Sequence, residues 1–207
     1  MDRCFMNEFE KALLKYFSPE DLKKIQTAKV GIAGLGGLGS NCANSLVRCG
    51  VKNLVLVDFD KVEASNLNRQ FYFLDQLGKN KVSALKETLL KINPGLNITG
   101  HCLRLEKDNI LSVFEDCLAV VEAFDQAEYK SLIVQTLLPT GKFIVSASGL
   151  AGHGKSDEIK IRRIKNNLVL VGDLKSEASS NLPPLAPRVN IAAAKQADAV
   201  LEYILQL

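Results

Sequence analysis

Gly34-Leu35-Gly36-Gly37-Leu38-Gly39 carries the spacing G-x-G-x-x-G. The apolar run before it, Ala-Lys-Val-Gly-Ile-Ala-Gly over 28–34, reads as a short buried strand, and a helix is expected over 38–49. In such a unit Gly34 makes the tight turn, Gly36 lets backbone approach a phosphate, and Gly39 lets helix pack on strand. The unpaired N–H groups and dipole of the helix start favour an anion. Asp58 closes a second apolar run, Leu54 to Val57, about 20 residues further on, where an acidic residue takes a ribose hydroxyl. Together these point to an adenine nucleotide, the alternative being a structural glycine turn with a capping Asp. The next stretch, Asp58-Phe59-Asp60-Lys61-Val62-Glu63-Ala64-Ser65-Asn66-Leu67-Asn68-Arg69-Gln70, is dense in phosphate- and ribose-binding groups. A nicotinamide ring would be poorly served by so much fixed polarity, which disfavours hydride transfer; a solvated Asn-rich loop is the bland alternative.

The elements that must position these groups alternate. Met6, Phe9, Leu13 and Tyr16 have helical spacing up to Ser18-Pro19, and Glu20-Asp21 open a second helix. Val82, Leu85, Leu89 and Ile92 form an amphipathic stripe ended by Asn93-Pro94-Gly95. Strands are expected near 96–102, 118–123 and 142–147, with a helix carrying Tyr129, Ile133 and Leu137 between the last two. Interleaved strands and helices mean an α/β fold, a doubly wound, mainly parallel Rossmann-like sheet. Glu158–Ile164 and Leu168–Val171, separated by Lys165-Asn166-Asn167, form a C-terminal antiparallel appendage. The Ser- and Pro-rich stretch 173–188 reads as a surface loop, and a last helix carries Ala193, Ala197, Val200 and Ile204. The whole chain, 1–207, is expected to be one domain: N-terminal helices over 1–27, a nucleotide-binding core over 28–149, and a hairpin, loop and closing helix over 150–207.

The glycine run, the D-F-D-x-V-x-x-S-N-L-x-R-Q segment and G-x-x-K at Gly78 to Lys81 resemble the ThiF, MoeB and HesA adenylyltransferases, the family that includes the nucleotide-binding half of ubiquitin-activating enzymes. The resemblance runs from about residue 20 to the last helix. It implies ATP as cofactor, bound by Gly34, Gly36, Gly37, Gly39, Asp58, Asp60, Asn66, Arg69, Gln70 and Lys81. Arg69 and Lys81 would be the cations on the triphosphate, the first a planar fork and the second a point charge, and Asn66 a donor to the α-phosphate. Asp125 lies just past Leu118 to Ala123, at a strand's C-terminal end, and the family places there the carboxylate that orients Mg-ATP. One Asp suffices, because Mg²⁺ takes one or two carboxylates plus phosphates and water; the competing role is a helix N-cap. The reaction implied joins the C-terminal Gly-Gly carboxylate of a ThiS-like ubiquitin-fold sulfur carrier to AMP, releasing pyrophosphate, for the thiazole of thiamine. MoeB-like activation of a molybdopterin-synthase carrier, another carboxylate substrate, and a non-catalytic adaptor that docks a ubiquitin-like protein are the alternatives.

Ser148 to Lys155 would line the entry for an extended tail, with Lys155 and Arg188 holding it or standing in solvent; a ligand role for His153 is not expected. Lys160, Arg162, Arg163 and Lys165 put positive charge on the hairpin. The family's N-terminal arginine segment is missing, Arg3 being its one candidate replacement, and a homodimer is implied by the resemblance alone. Five widely spaced cysteines, Cys4, Cys42, Cys49, Cys102 and Cys117, contain no CxxC pair, so neither disulfides nor the zinc of longer members is expected, and Cys42 and Cys49 read as packing residues. In 207 residues with 47% hydrophobic and 24% charged side chains, 26 basic against 23 acidic groups leave a net +3. That balance argues against nucleic acid as partner. No apolar run is long enough for a membrane span, and a cytoplasmic setting is expected.

Overall fold

Alternating apolar residues along short strands sort the interior into two layers on one sheet. The computed structural model describes residues 6–207, so Arg3 and Cys4 lie outside the described residues. Seven strands, β1 (Lys29–Ala33), β2 (Asn53–Val57), β3 (Asn97–His101), β4 (Ala119–Glu122), β5 (Phe143–Ala147), β6 (Lys160–Lys165) and β7 (Leu168–Gly172), form a single sheet in the order β3-β2-β1-β4-β5-β7-β6. Every neighbouring pair is parallel except β6 with β7. The expected antiparallel hairpin is therefore present, and it extends the main sheet: β7 lies parallel to β5, pairing Val145 with Val169, and only the edge strand runs backwards. β6, Lys-Ile-Arg-Arg-Ile-Lys, carries charge and a register irregularity at Arg163/Lys165, both of which protect an open sheet edge from pairing with another chain.

The helices are α1 (Glu8–Leu13), α2 (Pro19–Thr27), α3 (Gly37–Arg48), α4 (Lys81–Ile92), α5 (Ile110–Val113), α6 (Ala127–Leu137) and α7 (Ala186–Leu205). Val30, Ile32, Leu54, Leu56, Val121 and Val145 face a core shared with α2, α3, α4 and α7. Their neighbours Ala33, Val55, Val57, Val120 and Ile144 face a second core with Ile110, Phe114, Ile133 and Leu137 of the α5–α6 side. Period-2 side-chain alternation makes this division unavoidable once both faces are covered. Each fully buried Leu, Ile or Val contributes about 1.5–3 kcal/mol.

α1 is shorter than the spacing through Tyr16 suggests. Asn7 starts it with a capping box to Glu10, it ends at Leu13, and Tyr16 is exposed. What fixes α1 is polar: Asn7 Nδ2 donates to Asn93 Oδ1 at 2.6 Å, and buried Glu10 pairs with Lys52 at 2.7 Å. α2 begins as read, with Ser18 accepting from the Asp21 N–H and Pro19 in its first turn.

Candidate functional site

In an open sheet of this order the strand sequence reverses direction between β1 and β4, and the loops leaving their C-terminal ends part there. A cavity of about 890 Å³ occupies that place, lined among others by Gly34, Gly36, Gly37, Asp58, Asp60, Arg69, Gln70, Lys81 and Asp125. Residues read from separate stretches of sequence thus meet in one crevice.

The glycine turn is built for close contact. Gly34 has φ +90°, its N–H donates to Val57 O at 2.9 Å, and a Cβ at Gly39 would stand 1.9 Å from the Gly34 carbonyl oxygen. Gly39 is thus a packing residue; the first N–H groups of α3 are left to face the cavity. Asp58 braces the turn from the neighbouring strand: Oδ2 accepts from Leu35 N at 2.7 Å and Oδ1 from Asp60 N at 2.8 Å. Burial raises the Asp58 pKa above the usual carboxylate value, against the opposing Lys81 charge and these two N–H groups. Tyr72 adds a hydroxyl bond to Leu35 O at 2.8 Å.

Lys81 begins α4, is almost fully buried, and holds Asp60 at 2.8 Å. Arg69 is half-buried: its Nη1 donates to Asn68 Oδ1 at 2.7 Å, and its aliphatic stem lies beside Gly37. Asn41 ties the two segments together, donating to Gly37 O at 2.7 Å and Arg69 O at 2.8 Å. Gln70 is buried with its Oε1 lacking a partner. Asn66 stands apart. Its Oδ1 accepts from Glu63 N at 3.1 Å within its own turn, and it is not among the cavity's lining residues.

Across the crevice, the N-cap of α6 is Gln126, which makes no side-chain cap bond, and Asp125 precedes it. The Asp125 carboxylate is exposed and lines the cavity, so the helix cap does not consume it. Among the described residues no three or more His, Cys, Asp or Glu side chains cluster as a metal cage. One carboxylate completed by phosphate oxygens and water is the arrangement that suits Mg²⁺, and Asp125 fits it.

Sequence reasoning missed what lies beneath Asp125. Buried Glu122 accepts from Phe124 N at 2.7 Å and from Ser146 Oγ, and Lys130 bridges it (3.1 Å) to Ala147 O (2.9 Å). Gln196 of α7 donates to the Glu122 carbonyl at 3.0 Å. The carboxylate so fixes the Ala123–Asp125 turn. No local pattern announces it, because its members come from β4, β5, α6 and α7.

The segment after β5 forms a further wall with the loop after β7: Ser148–Ala151, Ser176–Ala178 and Pro184 line the cavity, and Gly152 N donates to Pro183 O at 2.9 Å. Arg188 corrects both of its readings. It is 3% exposed, paired with Asp173, and donates to Gly154 O (2.7 Å) and Lys155 O (2.9 Å). It fastens the loop and is not presented to a partner. Lys155 and His153 are exposed. Cys42 is wholly buried and Cys49 partly so; burial pushes both thiols up, the packing role expected of them.

The ThiF family model matches residues 10–204. Ubiquitin-like modifier-activating enzyme 5 of Dictyostelium discoideum is 35% identical over 159 residues, which are 69% of this chain and 42% of that protein. Adenylyltransferase and sulfurtransferase UBA4 of Candida glabrata is 37% identical over 133 residues, 64% of this chain and 31% of that one. The chain therefore spans less than half the length of these curated relatives. Among solved structures, E. coli tRNA N6-threonylcarbamoyladenosine dehydratase TcdA in complex with AMP superposes with TM-score 0.86 at 18% identity, over 95% of this chain and 93% of that one. E. coli MccB, solved with AMPCPP and MccA, gives TM-score 0.70 at 24% identity over 90% and 58%. At such identities these two likenesses speak for the fold.

Proposed function

The chain belongs to the ThiF family, and from that premise we propose that it uses ATP to adenylate a carboxylate, that of the Gly-Gly tail of a small ubiquitin-fold carrier. The observation that carries the reading is one crevice holding a glycine turn, a ribose-type carboxylate, two cations and a free carboxylate on the facing wall. A carboxylate oxygen of the substrate attacks the α-phosphorus, the bond from that phosphorus to the bridging oxygen breaks, and pyrophosphate leaves. No general base is required, since the nucleophile is ionised at neutral pH. Two anions must meet, so preorganised positive charge is the main catalytic requirement. Arg69 offers its fork to phosphate oxygens, Lys81 its point charge, and the α3 N–H groups their dipole. Asp60 holds Lys81 in place. Asp125 would hold Mg²⁺, which when bound neutralises phosphate charge. Ser148–Ala151 and Ser176–Ala178, which line the cavity, would be the wall along which the extended tail enters.

The finer reading is a ThiS-like carrier serving thiazole formation. Exchange of labelled pyrophosphate into ATP, run with ThiS-like and MoaD-like carriers and with tail-truncated controls, tests it. Exchange dependent on one intact tail is expected, ThiS-like on this reading. Exchange with the MoaD-like carrier alone would reassign the pathway, and silence with both would move the proposal to another carboxylate or to a docking role. A modified-nucleoside carboxylate belongs in the same assay, because TcdA, named for a tRNA nucleoside, matches this chain nearly end to end.

A further inference from the structure

Beside Asp58 the cavity is walled by Phe59, Leu103, Leu105, Phe124 and Tyr129, contributed by the loops after β2, β3 and β4 and the first turn of α6. The Phe124 and Tyr129 rings stand 5.7 Å apart at 50°. One cation stands among these rings: the Arg104 guanidinium lies 4.8 Å over the Phe59 centroid and 5.9 Å from that of Tyr129. No ion pair involves Arg104 among the described residues. An exposed arginine held by ring faces alone presents a planar, weakly hydrated cation whose natural partner is another π-face.

We propose that Arg104 is the base-stacking residue of the nucleotide site. The inference deepens the reading above and rests on its nucleotide-binding half. Phe59 follows the ribose-type carboxylate Asp58 directly, so a nucleoside held at Asp58 brings its base to the slot that Arg104 covers. A purine base is flat and uncharged, and it inserts as a further plane against the guanidinium. Arg69 and Lys81 already supply the cations expected on phosphate, with Arg69 packed by the glycine turn; a third phosphate cation among aromatic rings would be misplaced. Arg104 therefore recognises the base, and its contribution is shared by every adenine nucleotide whatever its phosphate count.

Binding of ATP, AMP and inorganic tripolyphosphate to the unmodified protein, Arg104→Ala and Arg104→Lys separates this role from general charge attraction. Arg104→Ala should weaken ATP and AMP equally, on the order of tenfold, and leave tripolyphosphate unchanged. Arg104→Lys, which keeps the charge and loses the plane, should not restore them. Equal weakening of tripolyphosphate with rescue by lysine would overturn the proposal in favour of phosphate steering, and unchanged nucleotide binding would overturn it outright. If the unmodified protein binds neither ATP nor AMP, the nucleotide reading itself fails, and the base-stacking role with it. Because Arg104 is exposed, both variants are expected to fold.

Discussion

Asp58 accepts two backbone N–H groups before it meets any ligand, and its two oxygens still have lone pairs to spare. A buried carboxylate with a raised pKa acts in opposite senses on stability and on binding. Its folded pKa lies above the unfolded value, so its contribution to stability is present at acid pH and is lost as pH rises through the folded pKa. Ribose hydroxyls, by contrast, need the ionised form. Affinity for adenosine, which has no phosphate to titrate, should fall as pH is lowered from neutral through the raised Asp58 pKa, whereas Asp58→Asn should bind about tenfold more weakly and without that pH dependence; calorimetry at several pH values reads both. Arg69→Ala should slow adenylation by on the order of 10²-fold, as loss of a preorganised charge does, and unchanged turnover would remove Arg69 from the mechanism. Asp125→Asn should raise the Mg²⁺ concentration needed for half-maximal exchange while adenosine binding stays intact. The glycine run, Asp58, Arg69, Lys81 and Asp125 were legible because each sits at a strand end or helix start that a local pattern marks. Glu122, Lys130 and Arg104 were not, since their roles appear only when separate strand ends are laid side by side; Asn66 was read from its motif as a phosphate donor, a role that would use its Nδ2, while its Oδ1 is engaged in its own turn.

The loop after β7 shows how an element is held by one ionic centre. Asp173 accepts from the Lys175 and Ser176 N–H groups and the Ser176 hydroxyl, each at 2.8 Å, and pairs with Arg188 of α7. Burial alone would raise the Asp173 pKa; the Ser176 and Lys175 hydrogen bonds and the Arg188 charge outweigh it and hold the carboxyl below the usual range. This stability is therefore present above the unfolded value and is lost as pH falls through the depressed folded pKa. Asp173→Asn leaves Arg188 buried without its counter-ion, which costs about 3–5 kcal/mol. The wild-type and variant stabilities should therefore converge in strong acid, as acid titrations of chemical denaturation will read. At neutral pH the variant should be cut first within 174–185 by a protease. Serines and prolines marked this stretch as a loop, but an Asp and an Arg fifteen positions apart say nothing of meeting until β7 and α7 bring them together. The strands and the longer helices were legible from period alone. The start of α1 was not, because an Asn7 capping box and a bond to buried Asn93 set it. The place of β7 was not either, since a hairpin pattern leaves open which existing strand its second arm will join.

Across the whole molecule the sheet is the partition, and two cysteines lie on its opposite sides. Cys42 of α3 belongs to the core under α3, α4 and α7, and Cys117 to the core under α5 and α6. Both are buried, and the Cys117 thiol is pushed up to about 11 by burial. Neither therefore reacts as a thiolate in the folded state, whereas Cys102 is exposed to reagent. The two cores share every central strand, since residues 30, 32 and 121 point one way and 33 and 120 the other. Loss of one layer strips an entire sheet face, and with it the packing that keeps the strands registered for the other. Such coupling predicts cooperative unfolding. In pulsed thiol labelling across a urea gradient, with sites assigned by mass spectrometry, Cys42 and Cys117 should become reactive at one common midpoint, while Cys102 labels from the start. If Cys117 opened well before Cys42, the α5–α6 layer would be an independent unit. The turn that carries Asp125 would then sit on the less stable side of the crevice, and a nucleotide bound across β1 and β4 as proposed would have to raise the Cys117 midpoint toward that of Cys42.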